Sequence, residues 1–185
     1  MLELASYLII FIIAGVCLLA SILIGTSVIA MFLTRVPFVP APKRNVKVII
    51  DQLDLKPGQK FYDLGCGDGR FLIEAETRGA KAIGFEISPW ALFRAKINLL
   101  LHHSKVRLLF KNFYRSDLAE ADAVFCYLMT KVMPKVEDKL KRELKPGAKV
   151  ACYGFPLPTW KPAKVIDLKL KDKRSSNIYL YQKWK

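Results

Sequence analysis

The sequence predicts an α/β chain: a doubly wound, mostly parallel sheet of seven strands with a C-terminal antiparallel hairpin, preceded by one N-terminal transmembrane helix. Three observations predict it. Short apolar runs alternate with helix-like segments from Lys60 to Tyr153, the pattern of successive strand–helix–strand crossovers. The segments Lys164–Leu170 and Asn177–Trp184 then alternate apolar and polar residues on either side of a charged turn, which is hairpin spacing. Finally, no residue from Leu4 to Thr34 is charged.

That first run is mostly Leu, Ile, Val, Ala and Phe. A spanning helix needs about twenty apolar residues, so a span near Ala5–Leu33 has room to tilt. A cleaved signal peptide would need a basic start and an apolar region of about 7–15 residues, whereas this start carries only Glu3 and the run is much longer. Arg35, Lys43, Arg44 and Lys47 follow the span closely. Positive flanks stay on the cytoplasmic side, so the expectation is a single-pass protein with its N-terminus outside and its folded domain in the cytoplasm. Pro37, Pro40 and Pro42 then predict a stiff, non-helical connection. The expected division is a membrane anchor over 1–35, a proline-containing linker and lead-in helix over 36–59, and the α/β domain over 60–185.

The lead-in helix runs from Lys43 to Leu53 and is broken by Lys56-Pro57-Gly58. Strands are predicted at Lys60–Leu64, Lys81–Phe85, Val106–Phe110, Ala123–Tyr127 and Lys149–Tyr153. Helices fall between them at Arg70–Arg78, Pro89–His102 and Lys131–Leu144. Ser88 suits an N-cap with Pro89 at the first helical position, and Lys145-Pro146-Gly147 closes the last helix.

Chemistry enters where the first strand ends. Asp63-Leu64-Gly65-Cys66-Gly67-Asp68-Gly69-Arg70 places an acid and three alternate glycines at a strand-to-helix turn. Glycine there permits positive φ and a close approach of ligand to backbone. The spacing differs from that of a dinucleotide pyrophosphate site, because Arg70 stands where the last glycine would be. Asp63 would repel a pyrophosphate but attract the cationic methionine end of S-adenosylmethionine. Glu86, at the end of the next strand, is placed to accept from ribose hydroxyls. The candidate cofactor residues here are Asp63, Gly65, Cys66, Gly67, Gly69 and Glu86.

The net charge is +14, from 30 basic and 16 acidic residues. With an anchor present, attraction to the anionic cytoplasmic leaflet is the economical reading. Nucleic acid is disfavoured as a partner, since no RNA-binding module accompanies the charge. The cysteines, Cys17, Cys66, Cys126 and Cys152, lack metal-ligand spacing and read as reduced thiols. His102 and His103 suit a helix C-terminus better than a metal site, and no metal is expected.

On these residues the chain resembles the lysine N-methyltransferases of the adenine nucleotide translocase and of the ATP synthase c-subunit, together with their prokaryotic relatives. The resemblance covers about residues 37–162. It rests on Pro37-Phe38-Val39-Pro40, the Asp63–Arg70 turn, Gly84-Phe85-Glu86 with Pro89-Trp90, His102-His103, Arg142-Glu143-Leu144 and Phe155-Pro156-Leu157-Pro158-Thr159-Trp160. It implies a Rossmann-like class I domain that moves a methyl group from S-adenosylmethionine to a lysine of a membrane-embedded protein. Where relatives carry Asp-Leu-Trp after the third strand, this chain has Asn112-Phe113-Tyr114. Asn112 can still bond the adenine edge, so Asn112 and Phe113 join the cofactor candidates.

Methyl transfer from a sulfonium is an in-line displacement, which asks the enzyme to align the reacting atoms and exclude water. A lysine nucleophile must be neutral, and a desolvated pocket lowers its pKa. Aromatic walls favour the methylated product. Tyr127 at the end of the fourth strand, and Phe155 and Trp160 after the fifth, are the channel candidates, and no acid or base is assigned. Two other readings use the same features: a lipid or small-molecule methyltransferase at the membrane surface, and a non-catalytic cofactor-binding membrane protein.

Overall fold

The computed structural model describes residues 2–34, 40–168 and 177–184. Arg35, Pro37, Phe38 and Val39, and the charged hairpin turn with Lys171, Lys173 and Arg174, lie outside the described residues. A 33-residue helix, α1 (Leu2–Thr34), leads the chain. Its Glu3–Ile29 stretch is long and apolar enough to cross a membrane.

Helix α2 (Lys43–Leu53) then packs into the globular part rather than standing off it as a lead-in. Ile49 and Ile50 are fully buried and Leu53 nearly so, in one cluster with Phe61, Leu72 and Ala75. Asn45 is buried as well and donates to the Tyr153 hydroxyl at 2.9 Å, tying α2 to the fifth strand.

The strands are β1 (Lys60–Leu64), β2 (Lys81–Glu86), β3 (Arg107–Phe110), β4 (Ala123–Cys126), β5 (Lys149–Tyr153), β6 (Lys164–Asp167) and β7 (Asn177–Gln182). They form one seven-stranded sheet in the order 3-2-1-4-5-7-6. β1 to β5 pair in parallel, while β7 runs antiparallel to both β5 and β6. The mostly parallel sheet and its terminal hairpin are therefore as the alternation predicts. Their cause is also visible: the inner parallel strands β1, β4 and β5 are largely buried, β4 completely, while β3 at the sheet edge stays partly exposed.

Helices α3 (Arg70–Glu76), α4 (Pro89–Leu101) and α5 (Met133–Glu143) are the crossovers. Ser88 caps α4 by accepting from the Ala91 amide, with Pro89 in the first turn. α5 starts two residues later than the sequence suggests, because Thr130–Val132 forms a 3₁₀ turn first. α2 and α3 cover one face of the sheet and α5 the other, where Val136 and Leu140 pack on Val124 and Val150. On that second face Cys126 and Cys152 stand side by side in register, their sulfurs 3.3 Å apart.

Candidate active site

The C-terminal ends of the parallel strands converge, which is where open α/β sheets place ligands. Leu64 of β1 pairs in register with Phe85 of β2 and Cys126 of β4, and Glu86 pairs with Phe110 of β3. Immediately beyond Leu64 the chain turns through Gly65, Gly67 and Gly69 at φ of 86°, 57° and 77°. Side chains rarely adopt those angles, so the alternation of glycines follows from the turn. The Gly65 and Cys66 amides both donate to the Phe85 carbonyl, at 2.9 and 3.0 Å, and pin the turn to β2.

A second glycine has a packing reason. A Cβ on Gly84 would lie 2.5 Å from Leu72 Cδ1 and 2.7 Å from Cys66 Sγ. The missing side chain lets the glycine turn settle onto β2.

Asp63 is the outstanding group. It is 1% exposed, and neither carboxylate oxygen has a hydrogen-bond partner among the described residues. Burial pushes its pKa well above the ordinary carboxylate range, and the nearby Glu86 and Asp68 charges push the same way. A buried unpaired carboxylate costs stability. Its persistence at the tip of β1 fits a site built for a cationic group. Burial similarly raises Cys66, with Asp63 adding to the effect, so that thiol stays neutral.

Glu86 is differently placed. Its Oε2 accepts from the Gly67 amide at 2.9 Å, and Oε1 accepts from the Ile87 and Ser88 amides, each at 2.8 Å. Burial raises its pKa, and the three amides oppose that shift. The side chain thus shapes the glycine turn and keeps about one acceptor site, on Oε2, uncommitted. Next to it, burial works against the charge of Asp68. Hydrogen bonds from Arg70 outweigh burial and hold that carboxyl below its usual range. Arg70 also donates to the Ala41 carbonyl, joining the turn to the segment before α2.

Asn112 and Phe113 follow β3. Asn112 Oδ1 accepts from the Tyr114 amide at 3.0 Å, and Phe113 lies against the Tyr114 ring with centroids 4.2 Å apart. Asn112 and Tyr114 border a cavity of about 420 Å³ that is otherwise lined by Arg115, Lys135, Asp138, Lys139 and Arg142.

The three aromatic candidates part company. Tyr127 is half-buried, its ring 4.8 Å from that of Tyr153. Phe155 is half-buried at the margin of the second core cluster. Trp160 is a core residue instead: it is 2% exposed and packed between Tyr181 and Trp184, with centroids 5.6 and 5.4 Å away. A ring so enclosed shapes the loop from behind rather than walling an open channel.

The sequence reading missed what holds that loop. Glu137, buried on α5, accepts from the Thr159 amide at 2.9 Å and from its hydroxyl, and pairs with Lys141 at 2.5 Å. The Tyr181 hydroxyl accepts from the Leu157 amide at 2.8 Å. Glu137 and Thr159 are 22 residues apart, so no local pattern announces the pair.

The model of the ANTKMT methyltransferase domain matches residues 63–164. A protein-lysine N-methyltransferase of Saccharolobus islandicus is 33% identical over 155 residues, covering 81% of this chain and 95% of that protein. The adenine nucleotide translocase lysine N-methyltransferase of Mus musculus is 35% identical over 135 residues, or 71% of this chain and 58% of the mouse protein. The chain thus spans less than two thirds of that mouse relative. Among solved structures, an RNA methyltransferase from Salinibacter ruber in complex with S-adenosyl-L-homocysteine superposes with a TM-score of 0.74 at 30% identity, covering 80% of this chain and 95% of that one.

Proposed function

The chain belongs to the ANTKMT methyltransferase family and is an S-adenosylmethionine-dependent methyltransferase; from that premise we propose that it methylates a lysine side chain of a membrane protein and is itself anchored in the membrane by α1. The observation that carries the cofactor half is the orphaned Asp63 carboxylate beside the glycine turn. When bound, S-adenosylmethionine supplies a methyl group activated on a sulfonium. Asp63 pairs with the ammonium of its methionine part, and Gly65, Gly67 and Gly69 allow close approach. Cys66 backs the turn with an uncharged thiol. Glu86 offers its remaining acceptor site on Oε2 to the ribose, and Asn112 and Phe113 flank the adenine.

For the acceptor, Tyr127 and Phe155 line the lysine approach, excluding water and keeping the amine neutral. Trp160 braces the loop that carries Phe155. The names of the Saccharolobus and mouse relatives support a protein-lysine acceptor. The uncharged length of α1 supports an anchor, and Lys43, Arg44 and Lys47 on its C-terminal flank support a cytoplasmic domain. A division into anchor, connection and catalytic unit follows, with α2 counted in the catalytic unit because its apolar face is buried there.

A second reading is favoured by two observations: the net charge of +14 and the likeness to the Salinibacter RNA methyltransferase both point to RNA. One experiment separates the readings. Purified full-length protein is incubated with methyl-labelled S-adenosylmethionine, cell membranes and total RNA, and label is then counted in the protein, lipid and RNA fractions. The lysine proposal predicts label in membrane protein, recovered as methyl-lysine after hydrolysis. Label confined to lipid or to RNA overturns it.

A further inference from the structure

We propose that the outer face of α4, continued by Phe110 at the sheet edge, is a membrane-docking surface that lies in the headgroup region of an anionic bilayer; this rests on reading α1 as the anchor. Phe93, Ile97, Leu100 and Leu101 are 40%, 44%, 74% and 71% exposed, although each is a large apolar residue. With about 100° of turn per residue they form one stripe, extended by Trp90, whose ring stacks on Phe93 at 6.1 Å. The opposite face, Ala91, Ala95 and Leu99, is buried against the domain. At the neighbouring sheet edge Phe110 is 64% exposed.

An apolar stripe alone fits several partners. Two further observations select a lipid surface. The first is charge: residues 87–116 contain six basic residues, Arg94, Lys96, Lys105, Arg107, Lys111 and Arg115, and no acidic one. Arg94 and Lys96 fall on opposite borders of the stripe. Aromatic and aliphatic residues flanked by cations are the composition of an interfacial helix, and cations favour an anionic leaflet. A protein groove would more commonly offer mixed charge.

The second is continuity with α1. The Ser27 hydroxyl bonds with the Ser88 hydroxyl at 3.0 Å and accepts from the Trp90 amide at 2.9 Å. Ala20, Leu23 and Ser27 are half-buried along α1, in contrast to its exposed remainder over 3–29. The stripe therefore begins at the helix that enters the bilayer, and anchor and stripe meet one surface. The surface also reaches the site. Leu99 and Ala95 lie 3.6 Å from where a Gly69 Cβ would stand, and Asn98 donates to the Asp68 carbonyl at 3.0 Å. Docking α4 would hold the strand tips at a fixed height over the membrane.

The test uses full-length protein reconstituted into bilayers of phosphatidylcholine with phosphatidylglycerol. A nitroxide is attached either to native Cys17, the exposed cysteine of α1, or to Leu101→Cys in a Cys17→Ser background, with Lys161→Cys as a solvent control. Relative accessibility to oxygen and to a water-soluble nickel complex reports depth. The proposal predicts that label at 101 is several-fold more accessible to oxygen than to nickel, unlike label at 161, and that the ratio falls in phosphatidylcholine alone. If label at Cys17 is in lipid while label at 101 matches the solvent control, docking fails and the anchor stands. If Cys17 is itself in water, the anchor fails. Spin–spin broadening at 101 overturns the proposal in favour of a second copy of the chain.

Discussion

The glycine turn beyond β1 and the loop beyond β5 flank the same end of the sheet, and they are built in opposite ways. The turn is a main-chain device. Three glycines, two amides on the Phe85 carbonyl and one amide on Glu86 define it within 24 residues, and it leaves Asp63 unpaired. The Phe155–Trp160 loop is a side-chain device held by distant partners. Glu137 takes its Thr159 amide, Tyr181 its Leu157 amide, and Trp160 is driven into the core. The first region is tensed toward a ligand, with a charge that wants a counter-ion. The second is held by bonds to distant side chains, although the buried Trp160 Nε1 has no partner among the described residues, and it carries one half-buried ring, Phe155.

The largest expected effect on the loop side is Trp160→Ala. Emptying so enclosed a site should cost about 3–5 kcal/mol, so the variant should unfold at markedly lower urea while the wild type stays folded. Normal stability with selective loss of protein methylation would instead make Trp160 a channel wall. On the turn side, Gly84→Ala forces a Cβ into Leu72 and Cys66 and should cost about 1–3 kcal/mol, read as a lower Tm. It should also weaken cofactor binding, since the glycine turn must shift. Glu137→Gln is milder. It keeps the shape but weakens the bonds to Thr159 and Lys141, about 1 kcal/mol in stability. Cofactor affinity should hold while turnover falls, and loss of cofactor affinity would show that the two regions are not separable.

The same contrast explains what was legible in the sequence. Strand–helix alternation, the Ser88-Pro89 cap and the glycine spacing are local, so the sheet and the turn could be read directly. The antiparallel hairpin was legible from its period of two. Trp160 was not, because an aromatic after a strand looks the same whether it faces a ligand or Tyr181 and Trp184. Likewise α2 reads as a lead-in from its flanking prolines, yet Ile49 and Ile50 complete the core under β1. Glu86 shows the limit in the other direction. Its position was readable, but its three bonds to the backbone depend on how the chain closes around it.

Asp63 carries the central claim, that the tip of β1 keeps a carboxylate unpaired for the cofactor's ammonium. Its folded pKa lies above the unfolded value of about 3.9. Its penalty to stability is therefore absent below that pH, grows as pH rises toward the raised value, and is complete above it. Pairing with a cation favours the ionised form, so cofactor affinity should rise with pH across the same window. The direct measurement is calorimetric titration of S-adenosylmethionine into wild type and Asp63→Asn at pH 7, with the Tm of each. The account predicts a loss of about 3–5 kcal/mol in binding, beyond a hundredfold, alongside a Tm equal to or above wild type. An Asp63→Asn protein that binds S-adenosylmethionine as tightly as wild type would contradict it.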